Sequence, residues 1–332
     1  MPGTSSTSPD AEARAGGGPR LRRWLGRAAR LALILGCLAY AFWGVDLAQV
    51  GASLARFDPL AVAGIVAWQF ASFAIQGWRL AWLSGPEVGL FAGTRAALIG
   101  LGVNNVIPAK LGEVAKAVSL GRRAGFGSAR GLSVVFWERF ADVNALLVLG
   151  FSASLASGRT LAVAPMAAAV AAVWGALAVQ ALWPGFTGRL IGLVPSERLR
   201  LFAAELLAQV RGHLSAGRIL ALAGLTALVW LQWSTIVALE VNWMAGFELS
   251  PRAVLVVFAV SSLGMAVPSS PGAVGVFEAA TVFALSLFGV PKEQALAAAV
   301  AMHMIQYLPV TVLGLGFFAG SGLSVAGLRK SI

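Results

Sequence analysis

Apolar residues in this chain come in runs of about 20, the length an α-helix needs to cross a hydrocarbon layer. Runs at about residues 24–45, 59–83, 131–153, 159–182, 219–241 and 295–319 meet that measure. Lipid offers no water to bond free backbone N–H and C=O groups, so such runs can only be helices packed together. Of the 332 residues, 58% are hydrophobic and 12% charged, where a soluble domain has about 25% charged. The expectation is an all-α polytopic membrane protein with about six spanning helices.

Two further apolar stretches fail the test because Pro and Gly interrupt them. One is Arg95 to Val118, centred on NNVIPAKLGE; the other is Val254 to Val290, centred on MAVPSSPGAVGVFE. Non-helical backbone at membrane depth is tolerated only where protein buries it or it lines a cavity. Both stretches are therefore expected to be re-entrant broken hairpins.

Charge placement sets the orientation. Arg20, Arg22, Arg23, Arg27 and Arg30 lie before or at the start of the first span, and Arg79 and Arg95 at or beyond the end of the second. Arg122, Arg123 and Arg130 precede the third, and Arg189, Arg198, Arg200, Arg211 and Arg218 precede the fifth. Arg329 and Lys330 close the chain. All fall on one side if each interrupted stretch returns to the side it entered, and the positive-inside rule makes that side the cytoplasm. Asp46, Arg56, Asp58, Arg159, Glu248, Arg252, Lys292 and Glu293 populate the other side without such an excess. Both termini are then cytoplasmic in a multi-pass protein of the inner membrane. The halves, about 24–153 and 159–320, form an inverted repeat whose hairpins dip from opposite faces. Paired broken helices of this kind are a recurring design of alternating-access carriers.

Residues 1–23 read as a disordered basic tail, 24–320 as a single transmembrane domain and 321–332 as a short cytoplasmic tail. LRRWLGRAAR, the apolar run after it and Ala39-Tyr40-Ala41 would also fit a cleaved signal peptide; the many later spans favour an anchor. Residues 186–218 fit a cytoplasmic amphipathic segment, either lying on the anionic leaflet or packed on the bundle, with His213 solvated at its polar end.

The composition also excludes classes of function. A single cysteine, Cys37, permits no disulfide framework, and two histidines far apart in sequence, His213 and His303, argue against a histidine metal cluster. The net charge of +11 sits in loops between spans, so no nucleic-acid partner is read from it. Phosphate loops, serine elbows and metal-ligand spacings are absent, and no cofactor is expected.

An ionisable residue inside a span costs about 2.5–3.5 kcal/mol on insertion scales and is a functional candidate by default. Glu113 and Lys116 share a helix face in AKLGEVAKAV, as do Glu138, Arg139 and Asp142 in WERFADV. Glu278 starts the helix that leaves the second break, at its positive dipole end. Lys110, Lys116, Arg139 and the broken helix ends around Pro108 and Gly272 could replace the hydration of a phosphate head group. The same charges could instead be internal ion pairs, and Lys110 and Lys116 could snorkel to the surface. His303, Gln306 and Tyr307 share a face of the last span, as a proton relay or a satisfied core cluster.

NNVIPAKLGEVAK from Asn104, WERFADV from Trp137 and PSSPGAVGVFE from Pro268 together resemble the flippase-like transmembrane family found in lysylphosphatidylglycerol synthases. The resemblance runs from about residue 24 to 320. It implies a lipid-translocating module whose pattern falls on Asn104, Pro108, Gly112, Glu113, Arg139, Asp142, Pro268, Pro271, Gly272, Gly275 and Glu278. The chain departs at Ala273, where a second Gly is expected, which stiffens the break. Because the chain ends at Ile332, shortly after its last span, aminoacyl transfer is not expected.

The expected function is translocation of an anionic phospholipid or a lipid-linked head group between leaflets. Asn105 joins the residues above as a candidate substrate contact. The rival expectation is a membrane-embedded enzyme or enzyme partner acting on polyprenyl-phosphate or glycolipid, with Glu113 or Asp142 as general base. Membrane lipids are the expected partners; a homodimer or a separate lipid-modifying enzyme is left open.

Overall fold

The computed structural model describes residues 17–107, 111–158, 163–267 and 270–330. Pro108, Lys110 and Pro268, all expected at the breaks, lie outside them. Helix α1 (Gly17–Phe42) starts within the stretch expected to be a tail, and α2 (Leu47–Leu54) follows at a bend of 78°. Asp46 and Asp58 cap α2 and α3 (Pro59–Ser84), their carboxylates accepting the amides of Ala48 and Leu60 at 2.8 Å, with Pro59 opening α3. Both devices satisfy or remove amide donors that a helix start leaves free.

Next come α4 (Leu90–Val106), α5 (Leu111–Ala124), α6 (Ser128–Ser157) and α7 (Ala164–Leu182). Then follow α8 (Pro184–Gly192), α9 (Glu197–Arg211) and α10 (Ala216–Leu239), the last running into a π-helical turn, Glu240–Met244. The chain continues through α11 (Pro251–Ala266), a 3-10 turn (Pro271–Ala273), α12 (Val276–Ser286), α13 (Lys292–Ala319) and α14 (Val325–Lys330). Among the described residues, five helices are long and apolar enough to cross a membrane: α3, α6, α7, α10 with its π turn, and α13. A sixth is reached if α1 and α2 count as one bent span.

The interrupted stretches become helix–break–helix pairs, α4 with α5 and α11 with α12, whose members pack on each other. At 11 to 17 residues each, these helices are about 17–26 Å long, too short to cross about 30 Å of hydrocarbon. The first pair closes where Gly112 meets the Gly100 carbonyl, a contact that leaves no room for a Cβ. Packing between the halves is reciprocal: α4 lies on α13, the last long helix, while α11 lies on α6. Gly102 on α4 and Gly314 on α13 let those backbones touch; a Cβ on Gly314 would strike the Leu98 carbonyl. Small residues do this work in membranes, where apolar burial does not drive helices together.

The segment read as amphipathic packs against the bundle through one of its helices. Helix α9 lies on α6, with Val210 buried, and its carbonyls accept from Trp137 Nε1 (Val210 O, 3.2 Å) and Gln180 Nε2 (Leu207 O, 2.7 Å). His213 is not a freely solvated residue: its ring nitrogens reach the carbonyls of Gln209 at 3.1 Å and Leu83 at 3.2 Å.

Candidate functional site

Charges from three helices meet below the first break. Arg79 on α3 forks onto Asp142 of α6, Nη1 to Oδ1 at 2.6 Å and Nη2 to Oδ2 at 3.1 Å, and also reaches Thr226 at 3.2 Å and Glu138 at 3.5 Å. Lys116 on α5 donates to Glu138 at 2.7 Å and lies 3.4 Å from Glu113. Arg139 is 3.2 Å from Glu138, 3.4 Å from Asp142 and 3.8 Å from Glu113. Three cations thus balance three carboxylates, as a low-dielectric interior requires. Asn104 ties this cluster to the break: its Oδ1 accepts the Gly112 amide at 2.9 Å, and its Nδ2 donates to Glu113 at 3.2 Å.

Exposure separates the cations. Arg79 and Lys116 are each 1% exposed and Arg139 is 40% exposed. Lys116 therefore does not snorkel; its charge is taken up by Glu138 and Glu113. Asp142 finds its bidentate partner in Arg79 rather than in Arg139, its sequence neighbour.

The second break is organised by α12 and α13. Its backbone turns through the left-handed region at Gly272 (φ +66°), Ala273 (φ +58°) and, after Val274, Gly275 (φ +85°). Glu278, three residues into α12, accepts the Gly275 amide at 2.6 Å and faces His303 Nδ1 at 2.6 Å; the other ring nitrogen lies 2.9 Å from the Gly272 carbonyl. One turn further along α13, Gln306 donates to both oxygens of buried Glu240 at 3.2 and 3.0 Å.

Tyr307 links the two breaks. Its hydroxyl donates to the Asn105 carbonyl at the end of α4, at 3.1 Å, and its ring packs so closely on Gly272 that a side chain there would clash. Asn105 returns to α13 through Thr311 at 2.8 Å. Between the breaks lies a cavity of about 290 Å³, with Arg79, Arg139 and Asp142 on one wall and Asn105, Gly272, His303, Gln306 and Tyr307 on the other. The remaining lining is mainly apolar, including Phe73, Trp230, Trp233, Phe258 and Met302. Trp230 Nε1 donates to Asp142 at 3.2 Å, so even this aromatic wall is anchored to the charge cluster.

Of the residues singled out in the sequence, Asn104, Gly112, Glu113, Lys116, Glu138, Arg139 and Asp142 assemble at the first break, and Gly272, Gly275 and Glu278 at the second, beside an exposed Pro271. Glu278 takes His303 as its hydrogen-bond partner, not a member of the cation cluster. Two residues escaped the sequence reading. Arg79, counted there with the cytoplasmic charges, has apolar neighbours on both sides in GWRLAW; Glu240 lies inside the expected span 219–241.

A family model of the lysylphosphatidylglycerol synthase TM region matches residues 27–314. The chain belongs to this family. The family match and the apolar helices make it a multi-pass membrane protein. It is also similar to a protein named Glycosyltransferase AglD, from Haloferax volcanii, at 27% identity over 356 residues, covering 92% of this chain. The chain spans about half, 56%, of that relative's length.

Proposed function

We propose that the protein moves a lipid with an anionic or lipid-linked head group between the leaflets of a cell inner membrane, with both termini cytoplasmic. The observation that carries this reading is the cavity between the two breaks, apolar for most of its wall and lined at one end by the paired charges of Arg79, Arg139 and Asp142. Its size falls near the lower end of small-ligand sites, about 300–1,000 Å³. Arg139 is the cation suited to a head group. It is the most exposed of the three, and the acids it touches are also held by Arg79 and Lys116. Its guanidinium can turn from carboxylate to phosphate, a bidentate match, without leaving a bare buried acid. Membership of a family named for the membrane region of a lipid-modifying synthase supports the same substrate class.

The enzyme reading is supported by the name of the archaeal relative. It would make this chain the membrane part of a system acting on a glycolipid or polyprenyl-phosphate.

Arg139→Gln tests the first reading, because Arg79 and Lys116 still pair the acids. The variant is expected at parental abundance, with leaflet exchange of a fluorescent anionic phospholipid in vesicles slowed roughly ten- to a hundredfold, one charge-assisted contact of about 1.5–3 kcal/mol being lost. Exchange at the parental rate would remove Arg139 from the head-group site. A mass change in the recovered lipid would favour the enzyme reading instead.

A further inference from the structure

His303 stands between two groups that both ordinarily accept. Its Nε2 lies 2.9 Å from the Gly272 carbonyl, which can only accept, so Nε2 carries a hydrogen. Its Nδ1 lies 2.6 Å from Glu278 Oε1. A neutral imidazole has one donor and one acceptor. Either the ring is an imidazolium donating to both neighbours, or Glu278 is a carboxylic acid donating to Nδ1. Both arrangements hold one proton more than a carboxylate beside a neutral imidazole. The count does not depend on which atom bears it. Glu278 Oε2 accepts the Gly275 amide, and both residues are nearly buried, so the proton is held inside the protein at the wall of the cavity.

We propose that Glu278 and His303 form a proton-binding site that latches the second helix break, one proton holding the break against the cavity and its loss releasing it. Without the proton, the single imidazole hydrogen cannot serve both neighbours. Two lone pairs then face each other, at Glu278 or at the Gly272 carbonyl. The hydrogen stays between His303 and the Glu278 carboxylate, where the bond is charge-assisted, and the Gly272 carbonyl is let go. Nothing else is transferred: the proton leaves as hydronium through the cavity that His303 lines. Because Tyr307 packs on Gly272 and bonds Asn105, movement of the second break is felt at the first.

Other charges on the helices packed against α12 and α13 have partners of their own. Arg95 of α4 bonds the Phe317 and Gly320 carbonyls, Lys292 of α13 bonds the Trp43 carbonyl beside Tyr40 of α1, and Arg252 of α11 bonds the Ala156 carbonyl. Asp46, ahead of α2, bonds Ala48 and Gln49, and Glu240 is held by Gln306. Arg79, Arg139 and Asp142 face the same cavity from the other wall, and Tyr307 stands edge-on to the His303 ring. Glu278 is the acidic side chain that meets the His303 ring among the described residues.

The latch rests on the translocase reading for its consequence, but can be tested without lipid transport. Replacing Cys37 by Ser leaves no thiol, and a nitroxide at Val274→Cys, an exposed position in the break, reports its mobility. The parent is expected to pass from immobile at pH 5.5 to mobile at pH 9 in one transition about two pH units wide, as a single proton requires. Glu278→Gln carries a permanent amide donor to Nδ1 and so imitates the protonated acid: its spectrum should stay immobile throughout. His303→Gln should show no transition. A parental spectrum that ignores pH, or variants that titrate as the parent does, would overturn the latch. In vesicles, anionic-lipid exchange should depend on pH in the parent and lose that dependence in Glu278→Gln. A titrating nitroxide in a protein that exchanges no lipid would leave the proton site standing and remove the translocase reading.

Discussion

The Ala273 backbone sits at φ +58°, in a region where an ordinary side chain costs about 1–2 kcal/mol relative to Gly. Gly at this position costs some unfolded-chain entropy in return, about 0.5–1 kcal/mol. Ala273→Gly is therefore expected to leave thermal stability in detergent unchanged or to raise it by up to about 1 kcal/mol. Ala273→Val, with a branched β-carbon, should lower it. A clear loss of melting temperature in the Gly variant would contradict the left-handed turn. This residue was legible from the sequence as a departure in a Gly-rich turn, whereas Arg79 was not. Positive charge near the end of an apolar run reads as a loop residue, and only the fork onto Asp142 shows it turned inward. Glu240 was within reach, because an acid inside an expected span is a candidate wherever it occurs.

Element positions were largely legible because the signal for a spanning helix is length and apolarity, and both are local. The breaks were readable for a similar reason: Pro and Gly interrupt a helix wherever they stand. Partner choice between helices is non-local and was hidden. The approach of α4 to α13 through Gly102 and Gly314 joins positions 212 residues apart, a difference of 314 and 102, and each glycine in isolation resembles any other in a membrane helix. Packing predicts which glycines matter. Gly314→Val must force α13 away from the Leu98 carbonyl and Gly102, and overpacking of this kind costs about 1–3 kcal/mol or more. Gly175→Val on α7 meets nothing within 4 Å and improves local helix propensity slightly. Melting in detergent should fall sharply for the first and stay level for the second; equal behaviour would mean that α4 and α13 do not touch as described.

At the scale of the whole molecule, the reciprocal packing of α4 on α13 and α11 on α6 fits two halves inserted in opposite senses, each lending its broken helix to the other's last long helix. Carriers built this way expose a central site alternately to the two sides. The cavity here lies where the breaks converge, and Tyr307 contacts both. Opposite insertion has a direct consequence for accessibility. Gly127, exposed where the first broken pair ends ahead of α6, and Ser250, exposed where the second begins ahead of α11, flank pairs that each enter and leave on one side, and must then lie on opposite sides of the membrane. In the Cys37→Ser background, a membrane-impermeant maleimide is expected to label Ser250→Cys in intact cells and Gly127→Cys only after the membrane is opened. Gly127 has an ordinary extended backbone at φ −69°, so the substitution strains nothing. Ser250 caps α11 through the Ala253 amide, so its loss costs about 1 kcal/mol, which a protein of normal abundance shows to be tolerated. Labelling of both positions from outside would place the halves in the same sense, and the two breaks could then no longer open toward opposite faces.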